Sequence, residues 1–375
     1  MSFFQKVLSL AFLTFPVLVF FLPCVASHGC RNPVIFNFGD SNSDTGGFAA
    51  AMGYEFGYPY GRSFFHRSTG RLSDGRLVID FLCENLKTNY LTPYLESLGP
   101  DFTNGANFAA GGATTLPRNV PFNLNVQLLQ FTRFHNHSLQ LHSKGLKKVI
   151  RDKDFRKALY TIDIGQFDLW VALNSFSYAE AIEKIPSFIS EIRDAILAIY
   201  RLGGRKFWIH NTGPLGCLPA ELATRKTNVT DLDQYGCIKS LNEGAKAFNA
   251  KLNHLCQELR IQINDSTVVY VDIYSIKYNL IANSTHYGFE NPLTVCCGYG
   301  GAPYNFDHYI KCRDIIKGAN LCEQRSPRIN WDGTHYSEPA NAFVASEILS
   351  TKYSTPRLKF NFFCNKSLNI LQPSY

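Results

Sequence analysis

Short apolar runs alternate with longer amphipathic stretches along this chain. Residues 33–38, 159–164, 206–209 and 267–271 are dense in aliphatic and aromatic side chains, and polar or glycine positions bound each run. Runs of this length, apolar on both faces, read as strands buried on both sides. Between them the period changes. Ile185, Ile189, Ile192, Ile196 and Ile199 recur at steps of 4, 3, 4 and 3, a single helical stripe that Gly203-Gly204 stops. A second helix is predicted from Ser240, with Glu243 three residues later as a capping box. Its buried stripe is Leu241, Ala245, Phe248, Leu252, Leu255 and Leu259. Strands alternating with helices predict an α/β fold around a mainly parallel sheet, whose ligands gather at the carboxyl ends of the strands.

The first 27 residues follow a different pattern. Lys6 precedes an apolar run over residues 7–21, and "CVAS" before His28 offers small residues for cleavage. A membrane anchor is the competing reading, but the run is short for a span of about 20 residues and a cleavage-like site follows it. A signal peptide over 1–27 is therefore expected, with a soluble, secreted chain after it. Residues 28–375 contain no Pro/Gly/Ser-rich linker, repeat or low-complexity tract, and read as one large domain with long loops.

Composition narrows the classes further. The chain has 37 Lys and Arg against 30 Asp and Glu, a formal charge of +7, with the basic residues scattered among acidic ones. No dense basic run favours nucleic acid as a partner. Eleven cysteines, with Cys24 in the leading segment, leave ten for the mature chain. In an oxidising compartment most should be in disulfides, with connectivity open. Cys296 and Cys297 are adjacent, Cys312 and Cys322 bound a short interval, and no paired Cys-x-x-Cys spacing suggests zinc. Sequons at Asn136, Asn228, Asn264, Asn283 and Asn365 are candidate glycosylation sites in that compartment.

The stretch "FNFGDSNSDTGG" puts Ser41 just past the first strand. A serine nucleophile needs a base, and the base needs an orienting group. "NWDGTHYSEPAN" offers Asp332 and His335, three residues apart in a compact turn leading into a helix. A neutral imidazole can accept the serine proton while a carboxylate holds its tautomer. Asp-x-x-His alone is weak evidence. It is also compatible with metal ligation, although no other His or carboxylate cluster has ligand spacing. The elbow Gly-x-Ser-x-Gly is absent, because Gly39, Asp40, Ser41, Asn42 and Ser43 occupy its place.

The chain resembles the GDSL esterase/lipase family of plants, within the SGNH hydrolases. The segments are "FGDSNSDTGG", "NGANFAAGGAT" (104–114), "NTGPLGCLPA" (211–220), "CCGYGGAPYNF" (296–306) and "WDGTHYSEPAN" (331–341). Asn42 stands where the shortest form of the motif has leucine. The resemblance implies a three-layer α/β/α, flavodoxin-like fold. It also implies Ser41 as nucleophile, His335 as base and Asp332 as orienting acid. Backbone N–H groups of Ser41 and Gly112 would form the oxyanion hole, with Gly111 the alternative register. The third block departs from the family: "DIGQFDLW" has Phe167 where an oxyanion-hole Asn is usual. Phenylalanine has no donor, so Gln166 is a candidate substitute. The implied activity is hydrolysis of a small-molecule carboxylic ester (lipid, acetylated glycoside or phenolic). An acyltransferase, or a weakened carbohydrate- or lipid-binding glycoprotein, are the alternatives. No cofactor, metal, nucleic acid or stable membrane insertion is expected. The expected form is a monomer in the apoplast, cell wall or vacuole. The aromatic stretch 53–71 reads equally as a substrate-facing loop or a packed Ω-loop.

Overall fold

The computed structural model describes residue 30 and residues 32–117, 121–225, 229–324 and 326–364. The leading segment 1–27 and the sequons at Asn228 and Asn365 lie outside them. The predicted strands form within a residue or two of the apolar runs: β1 (Ile35–Gly39), β3 (Leu159–Asp163), β4 (Lys206–His210) and β5 (Thr267–Val271). The three-residue β2 (Gly105–Asn107) joins them. These five strands are parallel, in the order β2-β1-β3-β4-β5. Two-residue strands β6 (Cys297–Gly298) and β7 (Asn320–Leu321) form a separate antiparallel pair, and β8 (Ser354–Thr355) edges the main sheet antiparallel to β5.

Side-chain alternation along each strand feeds two cores. Phe36, Phe38, Tyr160, Ile162, Phe207, Ile209 and Val268 belong to one. It is covered by α3 (Leu124–Ser143), α5 (Gln166–Ser175), α6 (Tyr178–Arg201) and α8 (Lys239–Gln262). Ile35, Leu159, Trp208, Val269 and Val271 belong to the other, under α2 (Val78–Asn85), α9 (Ile273–Ala282) and α10 (Glu338–Leu349). Short helices α1 (Gly47–Met52), α4 (Asp152–Lys157) and α7 (Pro219–Thr224) complete the set among the described residues. This is the expected three-layer α/β/α arrangement. The isoleucine stripe lies on α6, where Ile185, Ile192, Ile196 and Ile199 are buried and Ile189 is partly so.

One expectation fails. The helix at Ser240 has no capping box with Glu243. It starts at Lys239, so Ser240 sits inside the first turn, and its N–H and hydroxyl both donate to Asp231. Glu243 pairs with Lys246 instead. A residue from the preceding loop satisfies the orphan N–H that a local cap would have taken. A Ser/Glu capping box does form in this layer, on α6 between Ser177 and Glu180.

The strand order puts β1 between β2 and β3, so the chain leaves β1 towards one neighbour and returns on its other side. Such a reversal opens a crevice at the carboxyl ends of the strands. Ser41 is two residues past β1, at that crevice. Close approach of β2 to β1 requires glycine at its start: Gly105 has φ +111°, and a Cβ there would lie 1.7 Å from the Ile35 carbonyl oxygen. Gly105→Ala should therefore destabilise the fold by more than about 3 kcal/mol, measured by denaturant unfolding. Unchanged stability would mean that β2 does not pair with β1 in this register.

Candidate active site

The turn before α10 brings Asp332 and His335 to Ser41, 294 residues away in sequence. His335 Nε2 lies 2.8 Å from Ser41 Oγ, and His335 Nδ1 lies 2.8 Å from Asp332 Oδ2 and 3.0 Å from Oδ1. Nδ1–H facing the carboxylate leaves Nε2 as the acceptor for the serine proton. The backbone N–H groups of Thr334 and His335 donate to Asp332 Oδ1 at 3.1 and 2.9 Å. Burial opposes the charge on Asp332. The His335 charge and these hydrogen bonds outweigh it and hold the carboxyl below its ordinary range.

The turn is itself held from outside. Cys296 and Cys297 donate their N–H groups to the carbonyls of Asn330 and Trp331 at 2.9 and 2.7 Å. Disulfides Cys296–Cys322 and Cys297–Cys312 staple that buttress. Gly333, at φ +103°, leaves room for the Phe306 ring of the same loop, which a Cβ would approach to 2.3 Å. Two further disulfides, Cys30–Cys364 and Cys217–Cys237, leave Cys83 and Cys256 free and buried.

Asp44 positions the loops on which Ser41 and Gly112 stand. Its carboxylate accepts N–H bonds from Gly46, Gly47, Phe48 and Gly111 at 2.7, 2.5, 3.1 and 2.7 Å. The Gly111 N–H is thereby occupied, whereas those of Gly112 and Ser41 donate to no acceptor among the described residues. Asp168 pins the far side of the Gly112 loop by accepting from the Thr115 N–H and hydroxyl at 2.8 Å. Asn37 and Asn107 join beneath, through a 2.8 Å side-chain bond and donation to the Ser43 carbonyl. Gln127 clamps both polar groups of Gly39 at the end of β1.

Phe167 opens α5 at the end of β3. Its half-buried ring stacks on Trp170 at 5.4 Å and 11°. The Gln166 amide oxygen accepts from the Gly213 N–H at 3.4 Å, which turns that side chain towards the loop after β4. Asp40 is buried beside Ser41. Burial, then the charge of Asp163, push its pKa up to about 7. Lys277, buried over the Tyr336 ring at 4.2 Å, is lowered by burial, against the pull of Asp163 and Asp40. No group of three metal-ligating side chains is present among the described residues. Asn136, Asn264 and Asn283 are exposed.

Sequence reasoning missed Asp44, Asp168, Asn107, Gln127 and Tyr60, whose hydroxyl reaches Asp332. Asp44, Asn107 and Asp168 lay inside quoted segments, but short polar residues in loops carry no signal of whom they bond. Tyr60 lay in the aromatic stretch 53–71 but was not singled out there, and Gln127 had no signal at all.

The family model "GDSL-like Lipase/Acylhydrolase" matches residues 35–348. "GDSL esterase/lipase LIP-4" of Arabidopsis thaliana is 53% identical over 372 residues, covering 97% of this chain and 96% of that protein. An "Esterase" of Hevea brasiliensis is 44% identical over 361 residues, covering 91% of each. Among solved structures, a catalytic mutant of Axe2, an acetylxylan esterase from Geobacillus stearothermophilus, aligns over 85% of this chain and 93% of its own, at 14% identity and TM-score 0.36.

Asp44→Asn keeps the shape of the side chain but leaves one acceptor oxygen and puts an NH2 against N–H donors. It should cost about 2–4 kcal/mol in denaturant unfolding. An equally stable variant would mean that the four N–H groups find water or other acceptors without strain.

Proposed function

The chain belongs to the GDSL-like lipase/acylhydrolase family, and on that premise we propose that it is a secreted carboxylic ester hydrolase working through an acyl-enzyme on Ser41. The observation that carries this reading is the 2.8 Å contact between His335 Nε2 and Ser41 Oγ, with Asp332 at Nδ1. Ser41 Oγ attacks the ester carbonyl carbon as its proton passes to Nε2. The imidazolium is stabilised by the Asp332 carboxylate, which stays ionised. The carbonyl oxygen becomes an oxyanion and accepts from the N–H groups of Ser41 and Gly112. Collapse expels the alcohol, which takes the proton from Nε2 and leaves acyl-Ser41. His335 then deprotonates water, which attacks the acyl carbon, and the acid is released with Ser41 restored.

One domain over residues 28–375 is part of this reading, supported among the described residues by two cores that pack on a single sheet. Secretion is supported by the leading segment, by four disulfides and by three exposed sequons. No helix of the described residues is long and apolar enough to cross a membrane. The secreted protein should begin near His28 by mass analysis.

Ser41→Ala should abolish labelling by a fluorophosphonate and reduce ester turnover by about 10³-fold or more, with the fold retained. Short-acyl, long-acyl and phenolic esters are the substrates to screen. An alanine variant that still labels and turns over would overturn the assignment. A labelled wild type that forms new ester only when an alcohol is added would replace hydrolysis by acyl transfer.

Phe167→Asn should raise turnover of an activated ester about 10-fold, equivalent to about 1.4 kcal/mol of barrier, by adding a side-chain N–H near the developing oxyanion. The stacked ring on Trp170 is lost, so stability is measured in parallel. An equally folded variant with unchanged or lower turnover would mean that the hole is already complete, or that the ring shapes the acyl pocket.

A further inference from the structure

Tyr60 belongs to the aromatic stretch, not to any motif, yet its hydroxyl lies 3.3 Å from Asp332 Oδ2, the same oxygen that is nearest His335 Nδ1. Tyr60 is 7% exposed, and its hydroxyl has no other partner among the described residues. The ring is set by Phe56 at 5.5 Å and by an edge-on contact with Trp331 at 5.9 Å. Trp331 is wholly buried and directly precedes Asp332, and Arg62 covers its ring at 5.3 Å. Tyr60 also lines an open cleft of about 1380 Å³ with Tyr54, Tyr58, Arg62 and Arg67. Ser41 and His335 do not line that cleft, and Tyr60 stands between it and Asp332.

We infer that Tyr60 is a positioning residue, acting through Asp332 on His335, and that through it the aromatic stretch is coupled to the proposed esterase chemistry. The inference rests on that reading for its kinetic consequence only. A hydroxyl donating to Oδ2 does two things. It fixes the rotation of the carboxylate, so that Oδ2 faces Nδ1. It also takes up part of the negative charge that would otherwise stabilise the imidazolium, keeping His335 easier to deprotonate. The other charged or titratable groups round the pair are Asp40 from the end of β1, Arg62 over Trp331 and Lys277 over Tyr336. None of them donates to Asp332 in the structure.

The sign follows. Without the donor, Asp332 presents its full charge to His335, so the imidazolium persists to higher pH and the neutral base appears later. The 3.3 Å contact is long for an O–H donor, so the shift is small. In Tyr60→Phe the acid limb of the kcat/KM profile should therefore move to higher pH by a few tenths of a pH unit. At its plateau kcat should fall about 3-fold with little change in KM. The direct readout is NMR of the His335 ring, following the downfield Nδ1 proton and its titration. This reports on the pair even if no ester is turned over, so it separates a failure of the inference from a failure of the esterase reading. Tyr60→Ala, which also removes the ring packed on Trp331, separates fold from hydroxyl. A Tyr60→Phe protein with wild-type His335 resonance and pH profile, beside a damaged Tyr60→Ala protein, would reduce Tyr60 to a packing role and overturn the inference.

Discussion

A buried carboxylate with four backbone N–H donors, that of Asp44, holds the reactive end of the sheet together. Three of its donors come from the entry to α1, and the fourth, Gly111, comes from the loop after β2. One side chain therefore sets the relative position of two loops, and in doing so it engages the Gly111 N–H, while that of Gly112 has no acceptor among the described residues. Without such an internal acceptor, several buried N–H groups would go unpaired, at about 1–3 kcal/mol each. Asp168 does the equivalent work on the other side of the same loop, at Thr115. The site is thus built on backbone fixed by buried acceptors, which suits a reaction whose barrier falls when donors are already aimed at the developing charge.

His335 reaches this frame from the far end of the chain. The strand order makes it possible, since β1 lies inside the sheet and the turn carrying Asp332 and His335 is delivered across its end. A bonded loop braces the turn beside the buried Trp331: Cys296 and Cys297 pair with its backbone, and two disulfides hold that loop closed.

Two carboxyls near His335 sit in opposite environments. Asp332 touches the imidazole, accepts backbone N–H bonds and stays ionised. Asp40 faces burial and the charge of Asp163, which push it towards the neutral form. This separation leaves Asp332 as the ionised partner of the His335 ring and weakens a second negative charge beside it.

Local patterns in the chain determined the four main strands, the α6 stripe and the α/β class with a mainly parallel sheet, because burial on one face or two imposes a period that any window of ten residues reveals; the three layers were implied by the family resemblance. The family segments also pointed to Ser41, Asp332 and His335 as candidates, and to the departure at Phe167. Local pattern was insufficient where the deciding partner was remote. Ser240 and Glu243 had the right spacing for a cap, but Asp231 was already there. β2 is three residues with no apolar run, and it exists only because β1 offers an edge. The pairings of the cysteines, the engagement of the Gly111 N–H by Asp44, and the reach of Tyr60 to Asp332 were decided by tertiary structure alone. Each depends on which groups meet across tens to hundreds of residues, and hydrogen-bond geometry, which acts over a few ångströms, has no trace in sequence spacing until the sheet has set the register.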